Sequence, residues 1–299
     1  MHNQYASLKG IGAIIIASFL WGTTGTAAHY ALNVSALGIG AFSTGVGGLL
    51  LLIMARKYLY RDHHLLLKHV GTFLFGCIAV AMYPLAFYTS MRLSGIAIGT
   101  VVSIASAPLF AGILDKVISN KPISLHWLLS FMIGAVGISL FVLGKGQSLA
   151  LIDSSEQQSL GLLLGCIAGF SYASYSWAAK HLMEKGAHSR SAMSGLFGGA
   201  ALLLLPSLYF TGENLLANAT NISVSFYMAI IPMFGGYLLF AFGLNFVDAS
   251  KATLITLIEP LIATLFAVFI IGEVFSMLGW AGAGLVFVCL LMQVYGARR

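Results

Sequence analysis

The chain has 299 residues, 59% of them hydrophobic and 8% charged, with a net charge of +6 and a mean hydropathy of +0.93. A water-soluble globular protein carries roughly 25% charged residues because its surface faces water. A soluble domain is therefore excluded, and the surface faces lipid.

A bilayer core about 30 Å thick takes roughly 20 apolar residues per helix. Ten such runs follow one another, at 10–29, 36–55, 70–89, 95–117, 125–143, 159–179, 191–210, 225–247, 249–272 and 277–295. Continuous apolar character predicts helices, since lone strands leave backbone groups unpaired in lipid and barrel strands alternate in polarity. The first run exceeds a signal-peptide core and nine more follow it, so it reads as a retained helix. With the N-terminus in the cytoplasm, 13 of the 15 lysines and arginines fall on the inner side and only Arg92 and Lys145 fall outside. That bias places both termini inside and accounts for the net positive charge, which leaves no argument for nucleic-acid binding.

In chain order, the first span holds "WGTTGTA" with Trp21 at its head. The segment 56–68, "RKYLYRDHHLLLK", reads as a solvated, orientation-setting loop. Tyr83 and Phe87 share a face of the third span. In the fourth, Thr100, Ser103 and Ala107 form a small polar face beside Pro108, a predicted kink. The stretch 144–159 is the most polar in the chain and reads as an outer linker. The sixth span, "FSYASYSWAAK", carries Tyr172 and Tyr175, and the eighth carries Tyr237 and Asn245. Buried rings with polar tips wall organic ligands well, although most aromatics in such a chain serve packing. Glycines four apart (161, 165, 169; 95, 99; 195, 199) fit close helix packing, within one molecule or in a homodimer.

The ninth span opens with Asp248 and Lys251 at its cytoplasmic mouth, where they suit a gate or an interfacial anchor. It continues with Thr256, Glu259 and Pro260. A charge at mid-span costs roughly 2.5–3.5 kcal/mol on insertion scales and belongs in the bundle interior. Pro260 removes a backbone donor and exposes carbonyls beside it. Carboxylate, kink and hydroxyl together form a candidate binding or proton-transfer station. The plainer reading is a protonated glutamic acid hydrogen-bonded to a neighbouring helix.

The chain is also one motif written twice. At an offset of 151, "ASFLWG" (17–22) falls on "AGFSYA" (168–173); at 152, Pro108 falls on Pro260 and Ala107 on Glu259. Each half holds five spans, an odd number, so the halves enter the membrane from opposite sides. The expected fold is all-α and integral to the membrane, with ten transmembrane helices as two inverted five-helix repeats, 1–145 and 159–299, joined by an extracytoplasmic linker 146–158.

"WGTTGTA", "GIAIGTVVSIASAPLFAGIL", "ASKATLITLIEPLIATLFAVFIIGE" and "MLGWAGAGLVFVCLLMQ" resemble the EamA-type drug/metabolite transporter superfamily, over nearly the whole chain. The resemblance implies a secondary transporter, an exporter in the cell's inner membrane, for amino acids or related small metabolites; import or exchange of an organic cation is the alternative. It implies no cofactor and no metal. Energy comes from a substrate or proton gradient, since no ATPase motif exists, and the protein is a monomer or homodimer. Trp21, Tyr83, Tyr172, Tyr175, Tyr237, Ser103, Thr256 and Glu259 are the candidate substrate contacts. An intramembrane enzyme is the rival class. It needs a second catalytic group at the depth of Glu259, yet His29, His69, His126, His181 and His188 all fall near span ends.

Overall fold

The computed structural model describes residues 2–94, 96–144, 155–271 and 276–296. Gly95, Lys145, Arg298, Arg299 and most of the 146–158 linker lie outside them. Among the described residues every regular element is helical. The first half contains α1 (His2–Gly22), α2 (Thr24–His29), α3 (Ala36–Met54), α4 (Arg56–Lys68), α5 (Val70–Ser94), α6 (Ile96–Val117) and α7 (Leu125–Leu143). The second contains α8 (Ser155–Glu184), α9 (Ser189–Thr211), α10 (Ala219–Met228), a π-helical segment Ala229–Gly236 and α11 (Tyr237–Leu244). It ends with α12 (Ala249–Ile255), a 3-10 turn Thr256–Ile258, α13 (Glu259–Phe266), a second π segment Ala267–Ile271 and α14 (Met277–Gly296).

Nine of the described stretches are long and apolar enough to cross a membrane, and the chain is a multi-pass membrane protein. The remaining expected span, 125–143, forms α7, whose apolar part Leu125–Phe141 is shorter than the other nine.

Three local features differ from the sequence reading. The predicted loop 56–68 is the helix α4, with Asp62 and Leu66 buried. Leu59, Asp62 and Leu66 recur at helical spacing and give one inward stripe, which the surrounding charges hide. Asp62 accepts from Arg61 Nε at 2.8 Å and from the His188 backbone N–H at 2.8 Å, docking α4 on the start of α9. The eighth span is not one straight helix but α10, a π segment around Pro232, and α11. And α6 runs through Pro108 without interruption, whereas the chain breaks ahead of Pro260.

The turns gather at two ends of the bundle. At the first end, where α1 begins, the 184–188 turn meets α4, and Lys121 meets both Glu184 and Asp248. At the second end, Asn221 donates to Leu32 O and Ser35 to Thr211 O. Between the ends, some buried hydroxyls are satisfied inside their own helices: Ser18 donates to Ile14 O at 2.9 Å and Ser130 to His126 O at 2.8 Å. That is the local solution available where no water reaches. Small residues bring helices close. A Cβ on Gly161 would meet Ser94 of α5, and one on Gly165 would meet Ser90 and Val102. The 161/165/169 glycines therefore serve packing within the molecule.

Candidate functional site: a ring-walled cavity at Glu259

Pro260 has no N–H to offer Thr256, which removes one bond of the α ladder there. The chain takes a 3-10 turn over Thr256–Ile258 and restarts as α13, with Glu259 in its first turn. Proline is favoured at such a restart, and the helix N-terminus favours a carboxylate. Glu259 borders a cavity of about 100 Å³. Among the described residues, no ion pair or hydrogen bond engages its carboxylate.

Rings from five other elements wall this cavity. Trp21 of the first span packs on Tyr237 of α11 at 4.8 Å between centroids, and Phe197 of α9 lies 4.0 Å from Tyr237. Tyr172 and Tyr175 of α8 lie 5.3 Å apart, and Tyr83 of α5 lies 5.7 Å from Tyr172. Four of the polar tips are held. Trp21 Nε1 donates to Pro232 O at 2.9 Å, Tyr172 Oη donates to Thr256 Oγ1 at 2.8 Å, and the Tyr175 and Tyr237 hydroxyls share a hydrogen bond of 2.9 Å. The Trp21 acceptor belongs to the π segment, so the helix defect positions the wall.

Six of the eight sequence-derived candidates thus meet at one space: Trp21, Tyr83, Tyr172, Tyr175, Tyr237 and Glu259. The other two do not border it. Thr256 stands behind Tyr172 and donates to Thr253 O at 2.8 Å. Ser103 donates to Gly99 O at 2.7 Å and is 1% exposed. Sequence reasoning passed over Thr24, Ser43, Thr44 and Tyr88, which also border the cavity. Adjacent hydroxyls in an apolar run, Ser43-Thr44, were the signal available.

The cavity reaches from mid-bundle toward the second end, since Gly40, Ser43 and Thr44 belong to the early turns of α3. The first end carries a cluster of charges. Lys121 Nζ lies 2.6 Å from Glu184 Oε1, 2.6 Å from Asp248 Oδ1 and 4.0 Å from Asp115 Oδ1. Burial lowers the Lys121 pKa, but hydrogen bonds to Asp248 and Glu184 outweigh it and hold the ammonium above the ordinary lysine value. Asp115 is 3% exposed and accepts from the Ser250 N–H at 3.0 Å, satisfying an open donor at the start of α12. Asp248 and Lys251, the predicted mouth residues, border a separate pocket of about 180 Å³ here, together with Asp115 and Lys121. Lys180 is buried nearby and donates to Leu244 O at 2.7 Å, at the end of α11.

A lipid-facing helical bundle around a ring-walled interior is the architecture of a multi-pass membrane protein with room for a small molecule. The chain belongs to the EamA-like transporter family, whose profile matches it twice, at residues 8–143 and 159–295. It is 32% identical over 287 residues to the "Uncharacterized transporter YwfM" of Bacillus subtilis, covering 96% of this chain and 94% of that one. The "Uncharacterized inner membrane transporter YicL" of Salmonella typhimurium is 23% identical over 300 residues, covering 97% of each. A protein solved by crystallography superposes with a TM-score of 0.78 at 16% identity, over 99% of this chain and 98% of that one, a likeness of fold alone.

Proposed function

We propose that this protein is a secondary active transporter that exports small organic metabolites, amino acids or related ammonium compounds, across the inner membrane by alternating access. In this reading ten helices form two inverted five-helix halves, 1–145 and 159–299, joined by an outer linker at 146–158, with both termini in the cytoplasm. Rocking of the halves exposes the Glu259 cavity to either side in turn. The Lys121 cluster is then the cytoplasmic gate. It ties Asp115 and Lys121 of the first half to Glu184 and Asp248 of the second, while the cavity reaches toward the outside.

One observation carries the reading: an unpaired carboxylate and a wall of rings, drawn from both halves, border one space midway through the bundle. A proton or substrate gradient supplies the energy, and Glu259 is the group at which proton and substrate compete. Liposomes containing the purified chain, loaded with single metabolites, test it by counterflow with and without a pH gradient. Glu259→Gln keeps shape and hydrogen bonding but cannot ionise, and it is expected to abolish pH-driven transport while exchange persists. Normal pH-driven transport by Glu259→Gln would return the carboxylate to a structural role.

A further inference from the structure

We propose that the Glu259 cavity selects net organic cations, molecules with one ammonium and no carboxylate, over zwitterions, anions and neutral molecules of the same shape. The inference rests on the transport reading above, keeps its Glu259 site and alternating access, and narrows its cargo from amino acids to related ammonium compounds that lack a carboxylate.

Three features of the lining lead there. First, among the described residues bordering the cavity Glu259 is the one carboxylate, and none is a lysine, arginine or histidine. An amino acid's ammonium would find a partner, but its carboxylate would find only the hydroxyls of Thr24, Ser43 and Thr44 and the tyrosines. Burying a charge without a countercharge is disfavoured, and in a space of about 100 Å³ that second charge would also sit beside Glu259. An anion meets the same repulsion with no compensation.

Second, the wall suits a cation. Ring faces carry negative potential and attract ammonium groups within about 6 Å, tryptophan most strongly. Trp21, Tyr83, Tyr172 and Tyr237 come from four separate helices, so a bound ammonium is met from several directions. Third, four of the ring tips are already engaged: Trp21 Nε1 with Pro232 O, Tyr172 with Thr256, and Tyr175 with Tyr237. Fewer donors are thereby left for a carboxylate, while the ring faces stay available for cation–π contact.

The test uses the full chain and three probes of closely similar size: choline, its neutral carbon isostere 3,3-dimethylbutan-1-ol, and zwitterionic glycine betaine. Binding is read in detergent from the shift of the thermal unfolding midpoint with probe concentration, and transport from counterflow in liposomes. Choline is expected to act at about tenfold or more lower concentration than either other probe, the discrimination one desolvated ion pair with cation–π contact provides. Glu259→Gln is expected to erase the difference and Glu259→Asp to keep it; the wild-type comparison of probes stands even if neither variant folds. Equal or tighter action of betaine or the isostere overturns the proposal. So does counterflow of amino acids without counterflow of any cation, which leaves the transport reading standing. A folded protein that exchanges no solute of any class defeats both.

Discussion

Replacing Lys121 by methionine keeps most of the length of the side chain and removes the charge that three carboxylates share. Glu184 and Asp248 are partly exposed, at 36% and 52% of their side chains, so water screens those two pairs and each is worth only about 0.5 kcal/mol despite separations of 2.6 Å. Asp115 differs, because its side chain is only 5% exposed and lies 4.0 Å from the ammonium. Without Lys121 it keeps the Ser250 N–H but faces Asp248 uncompensated, which adds about 1 kcal/mol. The total of about 2 kcal/mol corresponds to roughly a 30-fold shift toward the state in which this end is open. Hydrogen exchange reads such local opening directly. Amides of α12 and of the last turns of α8 are expected to exchange about 10- to 30-fold faster in Lys121→Met, while those of α3 remain unchanged. Lys121→Arg is expected to restore protection, and the effect of Lys121→Met is expected to shrink in high salt. Unchanged exchange in α12, or equal acceleration throughout the bundle, would refute the gate.

Gly48→Val tests the close approach of α3 to α9, since a Cβ there would collide with the backbone carbonyl of Phe197. Overpacking of this kind costs about 1–3 kcal/mol, seen as a lowered unfolding midpoint; an unchanged midpoint would show that the helices separate freely. The contact of α4 with α9 is expected to loosen in acid, in two steps. Burial, with Arg61 and Arg190 nearby, holds His188 below its ordinary 6.5. The undocked state therefore binds more protons, and docking weakens as pH falls below 6.5. Burial raises the Asp62 pKa, but the hydrogen bonds from Arg61 and the His188 N–H outweigh it and hold the carboxyl below its ordinary 3.8. Its contribution is complete above that value and lost as pH falls through the lower folded one. Limited proteolysis near residues 55–69 between pH 7.5 and 3 follows both; a rate independent of pH would exclude them.

The helical, membrane-crossing character was legible because lipid imposes one simple requirement, about 20 apolar residues per crossing, and the runs around Trp21, Tyr83 and Tyr172 meet it without ambiguity. Glu259 was legible for the same reason, as a charge where the solvent forbids an unsupported one. What stayed hidden depends on pairing between distant segments. Lys121 read as an ordinary inner-side lysine because Glu184 lies 63 and Asp248 127 positions away. Ser103 and Thr256 read as lining residues because sequence reports a hydroxyl but not its direction; one turns back to Gly99 O, the other is held by Tyr172. In α4, Arg56, Lys57, Arg61 and Lys68 masked a helical stripe of Leu59, Asp62 and Leu66.

The π segment Ala229–Gly236 settles which face of α11 looks inward. Each residue added to a helix turns everything beyond it by about 100°, and π segments are such additions locked in place. Tyr237 follows this segment directly, and its hydroxyl meets Tyr175 only at the rotation the segment sets. Deleting one residue between 229 and 236 would swing that ring away from the cavity without altering the polarity of any other side chain. Chain length within a single turn, rather than the chemistry of the residue, aims Tyr237. A relative one residue shorter here would present a different face of the same helix to its cargo.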